Sequence, residues 1–134
     1  MPSPERERKK TVLYIEDQFH NRRLVEKVLA ARGYEILLAE DGQIGWEMVQ
    51  AHRPSLLLLD IALPGALDGL DVAARVKQDP ALRDIWIIAV TASAMQGDRE
   101  RLLRSGCDDY LSKPVQIQQL LAKVEAYFER QARG

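Results

Sequence analysis

The sequence predicts a doubly wound α/β domain: a five-stranded parallel sheet with helices on both faces. Three observations lead there. Five short apolar runs recur along the 134 residues. The runs are continuous rather than alternating, which suits strands buried on both faces. Between them lie stretches with apolar side chains at helical spacing, so strands and helices alternate as repeated βα units with right-handed crossovers.

The runs are Val12-Leu13-Tyr14-Ile15, Ile36-Leu37-Leu38-Ala39, Leu56-Leu57-Leu58-Leu59, Ile85-Trp86-Ile87-Ile88-Ala89-Val90 and the weaker Tyr110-Leu111. Polar or turn-forming residues bound each, such as Arg32-Gly33-Tyr34 before the second and Arg53-Pro54-Ser55 before the third. Leu24, Val25, Val28 and Leu29 share one helical face that Gly33 would end. Ile44, Met48 and Val49 make a second face, stopped by Pro54. Leu70, Val72, Ala73 and Val76 make a third, ending near Asp79-Pro80. Met95, Leu102 and Leu103 mark a fourth, closed by Gly106. Ile117, Leu120, Leu121, Val124 and Phe128 form the fifth, begun after Pro114.

The organisation read from this pattern is one domain over residues 11–130, a flexible charged tail at 1–10 and a flexible end at 131–134. Apolar and charged fractions of 46% and 29% are those of a soluble globular protein. Nineteen basic against twenty acidic residues imply no general pull toward nucleic acid or membrane. No apolar stretch approaches bilayer length, and the N-terminus lacks the apolar core of a secretory signal. With a single cysteine, Cys107, no internal disulfide is possible, and a cytoplasmic protein is expected.

Polar residues stand at the C-terminal ends of four runs: Glu16-Asp17, Asp60, Thr91 and Ser112-Lys113-Pro114. Strand C-termini share one edge of a parallel sheet, and ligands bind there where strand order reverses. With order 2-1-3-4-5, Glu16, Asp17 and Asp60 converge, and Thr91 and Lys113 close the far side. Three crowded carboxylates need neutralising, and a hard divalent cation such as Mg²⁺ suits an oxygen-only ligand set. Lys113 adds a point charge for a phosphoryl oxygen and Thr91 a hydroxyl donor. A carboxylate nucleophile with metal, hydroxyl and ammonium fits phosphoryl transfer to an aspartate.

At this point a family resemblance becomes specific. Glu16-Asp17, Asp60-Ile61-Ala62-Leu63-Pro64, Asp68-Gly69, Val90-Thr91-Ala92 and Asp109-Tyr110-Leu111-Ser112-Lys113-Pro114 resemble the receiver domain of bacterial two-component response regulators, of the stand-alone type. The resemblance covers about residues 11 to 130. It implies a flavodoxin-like (βα)5 fold with Asp60 as phosphoacceptor for a histidine kinase or histidine phosphotransfer protein. It implies Mg²⁺ bound by Asp17, Asp60 and the backbone carbonyl of Ala62, with Glu16 acting through water or as a neighbour of the ligands. Thr91 and Tyr110 become switch residues, Lys113 pairs with the phosphoryl group, and Lys113-Pro114 is a cis peptide. Output then passes to a target protein through the face of the fourth helix, fifth strand and fifth helix, from a monomer or weak dimer with no external substrate to turn over. The family pattern is interrupted in one place: Gly65-Ala66-Leu67 lengthens the loop before Asp68-Gly69 by one residue.

Other readings stand beside these. Thr91 alone is an N-cap for the fourth helix, a role compatible with the first. Tyr110 is a half-buried sheet residue on its own. Asp108-Asp109 reads as solvating the start of a strand, His20 and His52 lack a metal-ligand cluster, and Cys107 reads as a small buried residue. A phosphatase using an aspartyl-phosphate would want a second acid where Ala62 stands, and a flavin carrier would want donors where the first loop is acidic.

Overall fold

A computed structural model describes residues 10–92 and 95–133. Strands β1 (Thr11–Ile15), β2 (Glu35–Ala39), β3 (Leu56–Asp60), β4 (Trp86–Thr91) and β5 (Asp109–Ser112) alternate with helices α1 (Phe19–Ala30), α2 (Gly42–His52), α3 (Gly69–Gln78), α4 (Gln96–Arg104) and α5 (Ile117–Arg133). All strand pairs are parallel, and the order is β2-β1-β3-β4-β5, the order expected of a flavodoxin-like (βα)5 fold.

Successive side chains of a strand point to opposite faces, so a strand covered on both sides is apolar at every position. On one face Val12, Tyr14, Leu56, Leu58, Ile88, Val90 and Leu111 meet Val25 and Leu29 of α1 and Leu120, Leu121, Val124 and Phe128 of α5. On the other, Leu13, Ile15, Leu57, Leu59, Ile87 and Ala89 meet Val49 of α2, Val72, Ala73 and Val76 of α3, Leu102 of α4, and Cys107.

The helical faces are narrower than their apolar residues suggest. Leu24, Ile44, Met95, Leu103 and Ile117, expected on packed faces, are exposed. In α2 the buried face is instead Gly42, Gly45 and Val49. A Cβ at Gly42 would meet the Leu67 carbonyl oxygen at 2.0 Å, and one at Gly45 the Ile15 Cδ1 at 2.2 Å. Close backbone approach therefore turns Ile44 outward. Ile117 opens α5 ahead of its buried stretch, which begins at Leu120.

Residues 1–9 of the expected tail lie outside the described residues. Lys10 belongs to the packed domain: its carbonyl accepts from the Glu35 amide at 2.9 Å, and its ammonium lies 5.8 Å from the Phe128 ring centroid. At the other end α5 runs through Arg133, so residues 131–133 form its exposed last turn rather than a separate end. No helix among the described residues is long and apolar enough to cross a membrane.

Asp108 and Asp109 do more than solvate the start of β5. Asp108 Oδ2 accepts from Lys77 Nζ at 2.9 Å and from the Ile87 amide at 2.8 Å, while Asp109 Oδ1 accepts from Lys123 Nζ at 2.8 Å. Lys77 also donates to the Arg83 and Ile85 carbonyls, so one ammonium ties α3 to the turns before β4 and β5.

Candidate functional site: an acidic pocket at the sheet edge

Adjacent parallel strands β1 and β3 end side by side. Backbone bonds carry the chain one step past each strand in register: Glu16 N–H to the Ala39 carbonyl (2.9 Å), Ile61 N–H to Val90 (3.1 Å) and Lys113 N–H to Thr91 (2.8 Å). This edge brings together Glu16, Asp17, Asp60, Thr91 and Lys113. Glu16 and Asp60 are fully buried, Thr91 nearly so, and Asp17 is half-buried. One carboxylate oxygen from each of Glu16, Asp17 and Asp60 lies within 4.8 Å of the others.

Both oxygens of Asp60 have donors. Lys113 Nζ donates to Oδ2 at 2.9 Å, and the Ala62 amide donates to Oδ1 at 3.0 Å. The lysine also stands 3.4 Å from Glu16 Oε1. Glu16 is held more tightly still: Oε1 accepts from the Tyr14 hydroxyl (2.9 Å) and Asn21 Nδ2 (3.3 Å), and Oε2 from the Gln18 amide (3.1 Å). Arg22 donates to its backbone carbonyl at 2.8 Å.

These contacts separate the two buried acids. Burial raises the Asp60 carboxyl above its ordinary value, helped by the charge of Glu16 and opposed by Lys113 and the Ala62 amide. Burial works against Glu16 too, but the Gln18 amide and then its side-chain neighbours, Tyr14 among them, outweigh it and hold Glu16 low. Burial would lower Lys113, yet the bond to Asp60 prevails and keeps it a cation. Among the described residues, three carboxylates against one contacting ammonium leave two negative charges uncompensated when all are ionised. An oxygen-only donor set with that deficit fits a hard divalent cation.

Thr91 is the last residue of β4, and α4 starts at Gln96 with Met95 as its N-cap, so Thr91 does not cap that helix. Thr91 stands at the sheet edge, at the C-terminal end of β4. Tyr110 is half-buried in β5, with Arg99 of α4 5.4 Å and Lys123 of α5 5.5 Å from its ring centroid. The Lys113–Pro114 peptide is cis. The lengthened loop folds back on the domain: Gly65 takes φ +94°, and Leu67 is buried against Gly42. The sequence reading passed over Tyr14, Gln18, Asn21 and Arg22, the residues that hold Glu16. The one available signal was a tyrosine inside an otherwise aliphatic strand two residues before Glu16.

Fold and pocket together define an open-sheet α/β protein with a buried aspartate, an acidic cation-ready cluster and a fixed lysine. Residues 12–125 match the response regulator receiver domain, and the chain belongs to that family of two-component signalling proteins. It is 39% identical to the polar-differentiation response regulator DivK of Brucella anthropi, over 88% of this chain and 95% of that one. Among solved structures it resembles the receiver domain of the sensor histidine kinase PA1611 from Pseudomonas aeruginosa, which holds a magnesium ion in its active-site cleft. That match has 33% identity and a TM-score of 0.79 over 89% of this chain and 97% of the other. It also resembles, at 29% identity and a TM-score of 0.81, a chain from the complex of the Saccharomyces cerevisiae histidine phosphotransfer protein Ypd1 with the receiver domain of Ssk1. There the coverage is 87% of this chain and 86% of the other.

Proposed function

We propose that Asp60 accepts a phosphoryl group from the histidine of a kinase or histidine phosphotransfer protein, and that the phosphorylated domain signals by binding a target protein. The observation that carries this reading is the pairing of buried Asp60 with Lys113 beside the Glu16–Asp17–Asp60 cluster. Similarity to a magnesium-bearing receiver and to a chain of a receiver–phosphotransfer complex supports it.

In the transfer an Asp60 oxygen bonds to phosphorus as the P–N bond to the donor imidazole breaks, the electron pair staying on the ring nitrogen. Lys113 and Thr91 receive the charge of the transferring oxygens, a task of positioning and electrostatics. Asp17, Asp60 and the Ala62 carbonyl would hold Mg²⁺, with Glu16 adding charge from behind. When bound, the ion supplies positive charge that draws carboxylate and phosphoryl oxygens together. Phosphate binds better to the state in which Thr91 has moved toward it, and Tyr110, whose ring lies near Arg99 and Lys123, follows into the space behind. The target reads the face of α4, β5 and α5, where Met95 and Leu103 are exposed. We place this exchange in the cytoplasm, where the lone Cys107 thiol stays reduced.

Intact-mass analysis after incubation with acetyl phosphate and Mg²⁺ tests the reading. A single Mg²⁺-dependent phosphate adduct on the wild type, absent in Asp60→Asn, is expected. A folded wild type that takes no phosphate refutes it.

A further inference from the structure

Tyr14 sits inside β1 with no exposed surface, between Leu13 and Ile15 and packed in an apolar layer with Leu58 and Val90. Phenylalanine would fill the same space, so the hydroxyl needs its own reason. A buried phenol seeks a partner, and this one donates to Glu16 Oε1 at 2.9 Å. The same oxygen lies 3.4 Å from the Lys113 ammonium, which bonds Asp60 at 2.9 Å. Two buried carboxylates therefore compete for one lysine, and Tyr14 already occupies the competitor.

We propose that Tyr14 is a positioning residue: its hydroxyl holds Glu16 in place, so that Lys113 stays on Asp60 and Glu16 keeps its charge turned to the acidic cluster. This rests on reading Asp60 as the phosphoacceptor. The remaining donors to Glu16 are arranged consistently with it. Asn21 Nδ2 reaches Oε1 only at 3.3 Å, and the Gln18 amide holds the opposite oxygen at 3.1 Å, so the hydroxyl gives the shortest of these three hydrogen bonds to the Glu16 carboxylate. Without it, Oε1 turns to the nearest strong donor, which is Lys113.

Tyr14→Phe removes the donor and keeps the ring. The full chain is titrated with Mn²⁺ by electron paramagnetic resonance, and the initial rate of adduct formation with phosphoramidate and Mg²⁺ is followed by intact mass. Each is run on wild type, Tyr14→Phe, Glu16→Gln and the double variant. Expected for Tyr14→Phe is a loss of about five- to tenfold in both Mn²⁺ affinity and rate, the worth of one buried hydrogen bond. In the Glu16→Gln background Tyr14→Phe has no further effect on Mn²⁺ affinity, because its route runs through Glu16. Unchanged or tighter Mn²⁺ binding in Tyr14→Phe overturns the proposal, as does an equal loss in the Glu16→Gln background. If Tyr14→Phe fails to fold, fluorotyrosine at position 14 changes the strength of the same bond, and unaltered Mn²⁺ affinity then overturns it. A wild type that binds Mn²⁺ but takes no phosphate defeats the phosphoacceptor reading instead, while the metal titration still decides the role of Tyr14.

Discussion

Lys113 Nζ lies 2.9 Å from Asp60 Oδ2 and 3.4 Å from Glu16 Oε1, one cation set against two buried carboxylates whose sequence positions are far apart. Its removal acts on phosphate and on metal in opposite directions. In Lys113→Ala, phosphorylation by acetyl phosphate falls by at least about tenfold, as expected for losing a charge-assisted hydrogen bond. Mg²⁺ binds more tightly than in the wild type, because the pocket has lost the ammonium that contacts two of its carboxylates. Calorimetric titration beside the mass assay checks both signs.

Two glycines separate fold from chemistry. A Cβ at Gly69 would meet the Asp60 carbonyl oxygen at 2.3 Å, and one at Gly42 the Leu67 carbonyl oxygen at 2.0 Å. Both are backbone obstacles, so each Gly→Ala change destabilises the protein by roughly 1–3 kcal/mol in urea unfolding. Gly69→Ala also displaces Asp60 itself and slows phosphorylation of the folded protein. Gly42→Ala strains the lengthened loop and leaves the rate at Asp60 within about twofold of wild type, inside the change that ~0.5 kcal/mol would give.

Burial, with the charge of Asp108 added, pushes the Cys107 thiol from its ordinary 9.0 up to about 11. The native protein therefore keeps this proton more firmly than the unfolded chain does. The resulting stability is fully present below pH 9 and is lost as pH climbs toward 11. Cys107→Ala should show a shallower loss of stability over that window. At pH 8 the native thiol should resist a disulfide reagent until urea unfolds the protein.

Lys77 donates to two carbonyls and to Asp108, and Asp108 in turn accepts from the Ile87 amide. Lys77→Met keeps the stem against Gly106 and orphans these acceptors. A loss of roughly 1–3 kcal/mol in unfolding free energy is expected, with Mg²⁺ affinity unchanged because the staple lies away from the acidic cluster. A shift in metal affinity would show that the two ends of the sheet are coupled.

By itself the sequence determined the alternation of strands and helices, because burial on both faces leaves continuous apolar runs in β1, β3 and β4, with polar residues only at strand ends. It also determined which polar residues reach the sheet edge, since Glu16, Asp60 and Thr91 follow directly on an apolar run and Asp17 and Lys113 one residue later. The helix faces were less readable: Ile44 and Leu103 carry apolar side chains outward, while Gly42 and Gly45, which carry none, make the contact in α2. Close approach depends on what stands opposite, and hydropathy does not record it. Only the tertiary structure decided how the pocket is wired. Tyr14 against Glu16, Lys113 between Glu16 and Asp60, and Lys77 on Asp108 are directional contacts of a few ångströms. They depend on strand register and side-chain reach, whereas the apolar pattern constrains only which face a residue occupies.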